Sequence, residues 1–464
     1  MNTIADSKML DQKFDEAVKG RRFPLALMTI ILCIGACIAF AHNTTPAPFF
    51  DTLYQFYSMD PVRDQAAMNL SLSIVFPFFI AFSLFGTMLE RKIGTRNMLT
   101  LFMLIVSIGV LLTFVSSTYV MYLVSRCIFG IGFGLHIPTF GSAIAKWYRP
   151  KAREFMTALY GVFPLLGALV CYATFPVVAE IAGSWQMGAA YTGIISLVAV
   201  IIWIAVVRKD VDDINLTETQ NIATGMIEEA DVKGSIFGWL LKQREMKSIM
   251  VTFACDFTVY AYIATILPLW LMVSGDGMSV VKANTWAAIA FPMFGVIGVI
   301  IGATTTTKLG LRKPVIVTCQ VVKLLGCMIA ALFCDQGVQF VIIGAALFGL
   351  GNGGWMSAMF LVPTELKGTN SSRVAGGWSI ILSVGYVFGF IMPVIGGALA
   401  TAFALKLEAT GVNVGTNALQ AYGFKWSFFI LGLSHVIAII AASTLRETGP
   451  GRKKKIEAPP TEAA

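Results

Sequence analysis

Charge is what this sequence is short of. Only 13% of its 464 residues are Asp, Glu, Lys or Arg, against 56% hydrophobic, whereas soluble domains carry roughly 25% charged residues. A chain with about half the charge needed for a wet surface is not a large soluble protein. Histidine is scarcer still, at three residues, and the eight cysteines (33, 37, 127, 171, 255, 319, 327 and 334) all fall within or at the edge of apolar runs. That placement speaks against a disulfide framework and for buried packing. Cys33 and Cys37 lie one helical turn apart, but no nearby His or carboxylate completes a metal site, and none is expected. No P-loop, HExxH, CxxC pair or GxSxG is present, so neither an enzyme, a cofactor nor a self-contained ATP-driven pump is expected. The net charge of +8 does not point to nucleic acid, because the basic residues lie in short loops between oily stretches.

Those oily stretches are what is present, and they raise the mean hydropathy to +0.75. A helix needs about 20 apolar residues to cross a bilayer. Runs of that kind occur near 23–42, 66–89, 97–116, 119–146, 154–180, 186–207, 248–273, 283–305, 314–333, 337–363, 374–403 and 423–445. The fold class expected is therefore an all-α membrane protein with twelve transmembrane helices. The amino terminus is polar up to Arg22 and the first run has the character of a span, so no cleavable leader is expected. Residues 208–247 form the longest polar stretch and read as a linker between an N-terminal bundle, 1–207, and a C-terminal bundle, 248–449. The tail, 450–464, has the composition of a disordered segment.

Lysine and arginine set the orientation. Of the 34, Arg63, Lys282, Lys406 and Lys425 lie in loops on one side and Arg126 and Lys323 fall within spans; the rest lie on the side of the termini. This asymmetry places both termini and the linker in the cytoplasm, and residues 43–64 outside, in a protein of the cytoplasmic (plasma) membrane.

The two halves also repeat. "KIGTRN" (92–97) matches "KLGLRK" (308–313) and "FGIGFG" (129–134) matches "FGLGNG" (348–353), in order and at offsets of 216 and 219 residues. Duplicated bundles around a central site are a transporter architecture, so two pseudo-symmetric six-helix bundles are expected.

Two motifs carry a family resemblance. "GTMLERKIGTRN" (86–97) packs Glu90, Arg91, Lys92 and Arg96 between apolar runs, framed by Gly86 and Gly94. Gly86 allows close helix approach and Gly94 a tight turn. "RCIFGIGFG" (126–134) sets Arg126 on one helix face with Gly130 and Gly134. With the echo in the second half and twelve spans, the chain resembles the major facilitator superfamily of secondary transporters along essentially its whole length. The resemblance implies that Glu90, where the family usually has aspartate, latches the halves together on the cytoplasmic face. Its implied partners are nearby basic residues and the amino end of span eleven. The second copy has Thr306 and Thr307 at the acid and base positions, so its ionic latch is expected to be lost. Gly349 and Gly353, on span ten, repeat the packing face of Gly130 and Gly134 without the charge.

Charges at mid-membrane usually face a partner or a cavity. Arg126 has two readings, one tied to the central cavity and one bonded to backbone carbonyls of the first span. Asp256, with Thr252 and Tyr260 on its face, reads as an unpaired carboxyl able to load and release a proton. Lys323 reads as a structural lysine facing its own bundle, and His42 and His136 as packing residues. Asn43, Tyr160, Asn352, Trp355 and Tyr386 are candidates for the solute wall.

The function expected is secondary active transport of a small organic solute by alternating access, coupled to protons or run as exchange. An anion is the expected solute, since an intramembrane arginine offers bidentate carboxylate recognition. The alternative is drug or metabolite efflux by proton antiport, although span five, "YGVFPLLGALVCY", has no Gly-Pro pair. Expected partners are the solute, membrane lipids and protons, with no nucleic acid, and the working unit is expected to be a monomer.

Overall fold

The computed structural model describes residues 24–148, 150–213, 236–274, 278–366 and 371–449. Among them, twelve helices are long and apolar enough to cross a membrane. Spans one to six are Leu25–Asn43, Gln65–Glu90, Thr95–Val115, Tyr119–Ile144, Leu159–Ala182 and Trp185–Val206. Spans seven to twelve are Arg244–Val273, Val280–Leu309, Lys313–Gln336, Val338–Glu365, Gly376–Glu408 and Thr416–Ser443. Most of the expected linker and all of the tail lie outside the described residues. The described ends of the linker are a short turn, Lys209–Asp213, and a helix, Ile236–Lys242.

Each span begins and ends for local reasons. Thr118 and Ser184 cap spans four and six by accepting the N–H groups of Met121 and Met187, and Ser279 caps span eight through Lys282 N–H at 3.3 Å. Such caps satisfy donors that a helix start leaves free. Between spans one and two, residues 43–64 fold into two short helices, Ala47–Phe49 and Phe50–Phe56. Span eight carries a π-helical turn at Ile289–Met293 around Pro292, where the missing proline N–H loosens the ladder.

Glycine decides how closely the spans pack. A Cβ on Gly349 or Gly353 would overlap the backbone carbonyls of Phe291 and Gly295, so spans eight and ten touch backbone to backbone. In the first half, a Cβ on Gly130 or Gly134 would stand 2.9 and 2.7 Å from the carbonyls of Val75 and Phe79, which sets span four against span two. These are the small-residue contacts expected where lipid tails supply no hydrophobic drive.

The face carrying residues 90–96 and 310–313 is here the basic face, and that carrying 43–64 the opposite face. Among the described residues, the hydrogen bonds that join the two bundles gather toward the opposite face. Asn69 donates to Pro393 O (2.8 Å), Thr401 to Val62 O (2.8 Å), Gln420 to Pro61 O (2.8 Å) and Asn284 to Pro48 O (3.3 Å). Tyr172 adds a bond to Ala264 O at 2.5 Å. These bonds hold the two bundles together toward that face.

Candidate functional site

Between the bundles, aromatic rings form a continuous wall. Tyr386 of span eleven meets Phe79 and Phe76 of span two at 4.2 and 5.2 Å between ring centroids, and Phe257 of span seven at 4.9 Å. From Phe257 the chain of rings continues to Tyr260 (5.2 Å) and Phe291 (5.6 Å). On the first-bundle side, Phe79 leads to Phe133 and His136, and His136 Nε2 hydrogen-bonds Tyr160 OH at 2.8 Å. Edge-to-face and offset contacts of this kind add about 0.5–1.5 kcal/mol per pair beyond burial.

His136, expected to be a packing residue, stacks on Phe133 within this wall. It is buried and its Nδ1 lies 2.5 Å from Phe133 O. The signal was available: Phe129, Phe133, His136 and Phe140 fall on one stripe of span four at steps of four, three and four. Tyr160, Tyr260 and Tyr386 lie in the wall, with Trp355 behind it against Phe253. Asn43 lies apart, at the opposite-face end of span one, with its side-chain oxygen buried and unpartnered.

Arg126 makes the carbonyl contacts of its second reading. It is buried, and its guanidinium donates to Ser71 O (2.9 Å), His42 O (2.5 Å) and Asn43 O (3.0 Å). The fork thus ties the carboxyl end of span one to span two. Beside it His42 is bonded through both ring nitrogens, to Thr45 (2.8 Å) and to Thr192.

The expectation that Asp256 is unpaired is corrected. Asp256 forms a buried ion pair with Lys323 of span nine, and the ammonium lies 4.4 Å from the Trp355 ring centroid. Lys323 faces its own bundle, where Asp256 of span seven meets it. Gly351 of span ten leaves room for the lysine stem, and a Cβ there would stand 2.7 Å from Lys323 Cγ. Thr252 does not join the pair, since its hydroxyl turns back to Ser248 O at 2.8 Å.

On the basic face, Glu90 accepts hydrogen bonds from Thr95 Oγ1 (2.5 Å) and Lys146 Nζ (2.8 Å). These partners belong to its own bundle. Gly86 lies under span four, where a Cβ would stand 3.0 Å from Leu135 and Pro138, and Gly94 has φ +83°. The side chain of Arg91 lies outside the described residues. Arg96 donates to the closing carbonyls of span six, Val207 O at 2.8 Å and Ile204 O at 3.2 Å, while Asp212 accepts its N–H at 3.0 Å.

The second copy has Thr306 where the first has Glu90, and it holds an ion pair at another position within its own bundle. Arg312, the counterpart of Arg96, donates to Glu365 at 3.0 and 2.7 Å and to Thr306 O at 2.9 Å. Sequence matching looked for an acid at position 306, whereas the acid stands at the end of span ten. Glu447 then accepts the N–H groups of Arg312 (2.7 Å) and Lys313 (3.1 Å), as Asp212 does for span three.

Comparison with known proteins accords with this arrangement. A family model described as Major Facilitator Superfamily matches residues 32–308. Among solved structures, a bacterial homolog of the human lysosomal transporter Spinster, inward-facing and occupied, superposes with TM-score 0.73 at 16% identity, covering 91% of this chain and 97% of that one. The same homolog, inward-facing and unoccupied, gives TM-score 0.71 at 14% identity, covering 91% and 98%. No curated protein matches by sequence.

Proposed function

The chain belongs to the major facilitator superfamily, and from that premise we propose that it carries a small organic solute with a flat apolar body across the cytoplasmic membrane by alternating access. The observation that carries this reading is the aromatic wall shared by spans two, four, five, seven, eight and eleven. It offers ring faces together with the hydroxyls of Tyr160, Tyr260 and Tyr386. Arg126 argues for a neutral or weakly charged solute over a carboxylate, because three backbone carbonyls already hold its fork. A carboxylate would have to share the guanidinium with them or displace them, the latter at a cost of roughly 1–3 kcal/mol for each buried acceptor left without its donor.

Bundles joined at the opposite face describe one end state of the cycle. With the basic face cytoplasmic, as the Lys and Arg distribution indicates, that state is closed to the outside. Rocking of the bundles about the aromatic wall would exchange these contacts for ones at the basic face.

The test is thermal unfolding of the purified protein against neutral aromatic, anionic aromatic and non-aromatic anionic solutes. A ligand at 100 times its Kd adds about 2.7 kcal/mol of stability. Stabilisation by aromatic solutes that is lost in Tyr386→Ala is the expected result. Stabilisation by small non-aromatic anions alone, abolished by Arg126→Lys, would instead establish the anion reading.

A further inference from the structure

His136 is a polar ring in an apolar slot. It is 1% exposed and lies among Phe40, Phe79, Phe102 and Phe133, at 5.1, 6.3, 6.0 and 5.0 Å between ring centroids. Another phenyl ring would fill such a slot without the cost of burying two nitrogens. Both nitrogens are bonded, and each bond has a direction. Phe133 O can only accept, so Nδ1 carries the ring proton across the 2.5 Å contact. In the neutral imidazole Nε2 is then an acceptor, and across 2.8 Å it takes the phenol proton of Tyr160. The carbonyl one turn back on span four thus decides the tautomer, and the tautomer decides where the Tyr160 hydroxyl points.

Tyr160 is half-buried in the wall, and its hydroxyl has committed its only proton. Toward anything else it can only accept. The hydroxyls of Tyr260 and Tyr386 are different. Phe257 packs against both rings, at 5.2 and 4.9 Å, and among the described residues neither hydroxyl makes a hydrogen bond. Each can rotate to donate or to accept.

We propose that His136 is a positioning residue that makes the wall selective for planar solutes carrying an N–H or O–H donor. By holding the proton of Tyr160 it leaves a lone pair for that donor. An isostere that brings only an acceptor there faces a second lone pair, and its buried acceptor goes unpaired. The solute class is a neutral aromatic heterocycle or phenol with a ring-borne donor. Its other polar atoms meet Tyr260 and Tyr386, which serve either kind. The solute class rests on the transport reading; the tautomer of His136 stands without it.

Indole and benzoxazole are the probes, two rings of one shape, the first with an N–H donor and the second with acceptors only. Calorimetry on the full-length protein in detergent gives both Kd values. The ratio of the benzoxazole Kd to the indole Kd should be about 2- to 12-fold larger in the wild type than in Tyr160→Phe, the net worth of one hydrogen bond. It should fall likewise in His136→Leu, whose freed Tyr160 hydroxyl serves either probe. His136→Gln should keep it, because the amide oxygen can take the same proton. A merely structural histidine would shift both Kd values together. An equal ratio in the wild type and Tyr160→Phe overturns the proposal and leaves the aromatic wall standing. Failure of both probes to bind the wild type overturns the wall reading and the donor rule with it. Nitrogen NMR of the wild type without any probe supplies the reading that needs no variant to bind. The His136 signal, identified by its loss in His136→Gln, should show the proton on Nδ1, and a proton on Nε2 overturns the proposal.

Discussion

Lys146 and Glu365 stand 219 residues apart at the same place in the two halves, the basic-face ends of spans four and ten, and carry opposite charge. Each is paired within its own bundle, Lys146 with Glu90 at 2.8 Å and Glu365 with Arg312 at 2.7 Å. The internal repeat therefore keeps an ion pair at this place, but the partner moves from Glu90 at the end of span two to Arg312 at the start of span nine. Nothing in the backbone requires one polarity, because a loop and a helix end can close on each other with either sign.

The two pairs are not equal in strength. Arg312 meets Glu365 with two nitrogens and the side chains are 9% and 19% exposed, whereas Lys146 is a 24% exposed point charge. Glu365→Gln should cost about 1.5–3 kcal/mol, the range for hydrogen bonds to charged groups, and Glu90→Gln less. Thermal unfolding of the two variants in one detergent checks the order. Equal losses would show that the fork geometry is irrelevant.

Arg126→Lys should open the opposite face. A lysine cannot reproduce the planar fork, so at least one of the carbonyls of Ser71, His42 and Asn43 loses its donor. A loss of about 3 kcal/mol and faster labelling of a cysteine placed at position 62 by an impermeant reagent are expected. Unchanged labelling would assign Arg126 to solute recognition alone.

Gly353→Ala should separate spans eight and ten, since the added methyl would overlap Gly295 O. Overpacking of this kind costs about 1–3 kcal/mol or more. Gly141→Ala is the control: nothing lies within 4 Å of that position, and the exchange should stabilise its helix by about 0.5–1 kcal/mol. Comparable behaviour of the two variants would refute the backbone contact.

Asp212 predicts a pH dependence at the basic face. Burial raises its pKa above 3.8, opposed by the backbone hydrogen bonds from Arg96 and Thr95 and by the charge of Lys146. A carboxyl with a raised folded pKa binds more protons folded than unfolded. Its favourable contribution is thus complete below 3.8 and lost as pH rises through the folded value. Asp212→Asn should keep an acceptor for Arg96 N–H and flatten that fall in thermal stability. An unaltered slope would place the titration elsewhere.

Much of the protein was legible in one dimension. Twelve spans follow from run length and the two halves from matched motifs, because bilayer thickness and helix rise leave no other solution. The glycines of spans four and ten were readable as packing faces because helical spacing alone aligns them. The partners of charged groups were not readable. Asp256 and Lys323 are 67 residues apart, and the glycine at position 351 leaves room for the lysine stem between them. Spacing along the chain does not show that span five brings Tyr160 to the ring of His136. The sequence by itself determined which segments enter the membrane, their number and their duplication, since these depend on local hydropathy and periodicity. The tertiary structure alone decided which buried charges meet and which rings pack together between the bundles. A buried charge takes whatever partner close packing brings within reach, and spacing along the chain does not encode that distance.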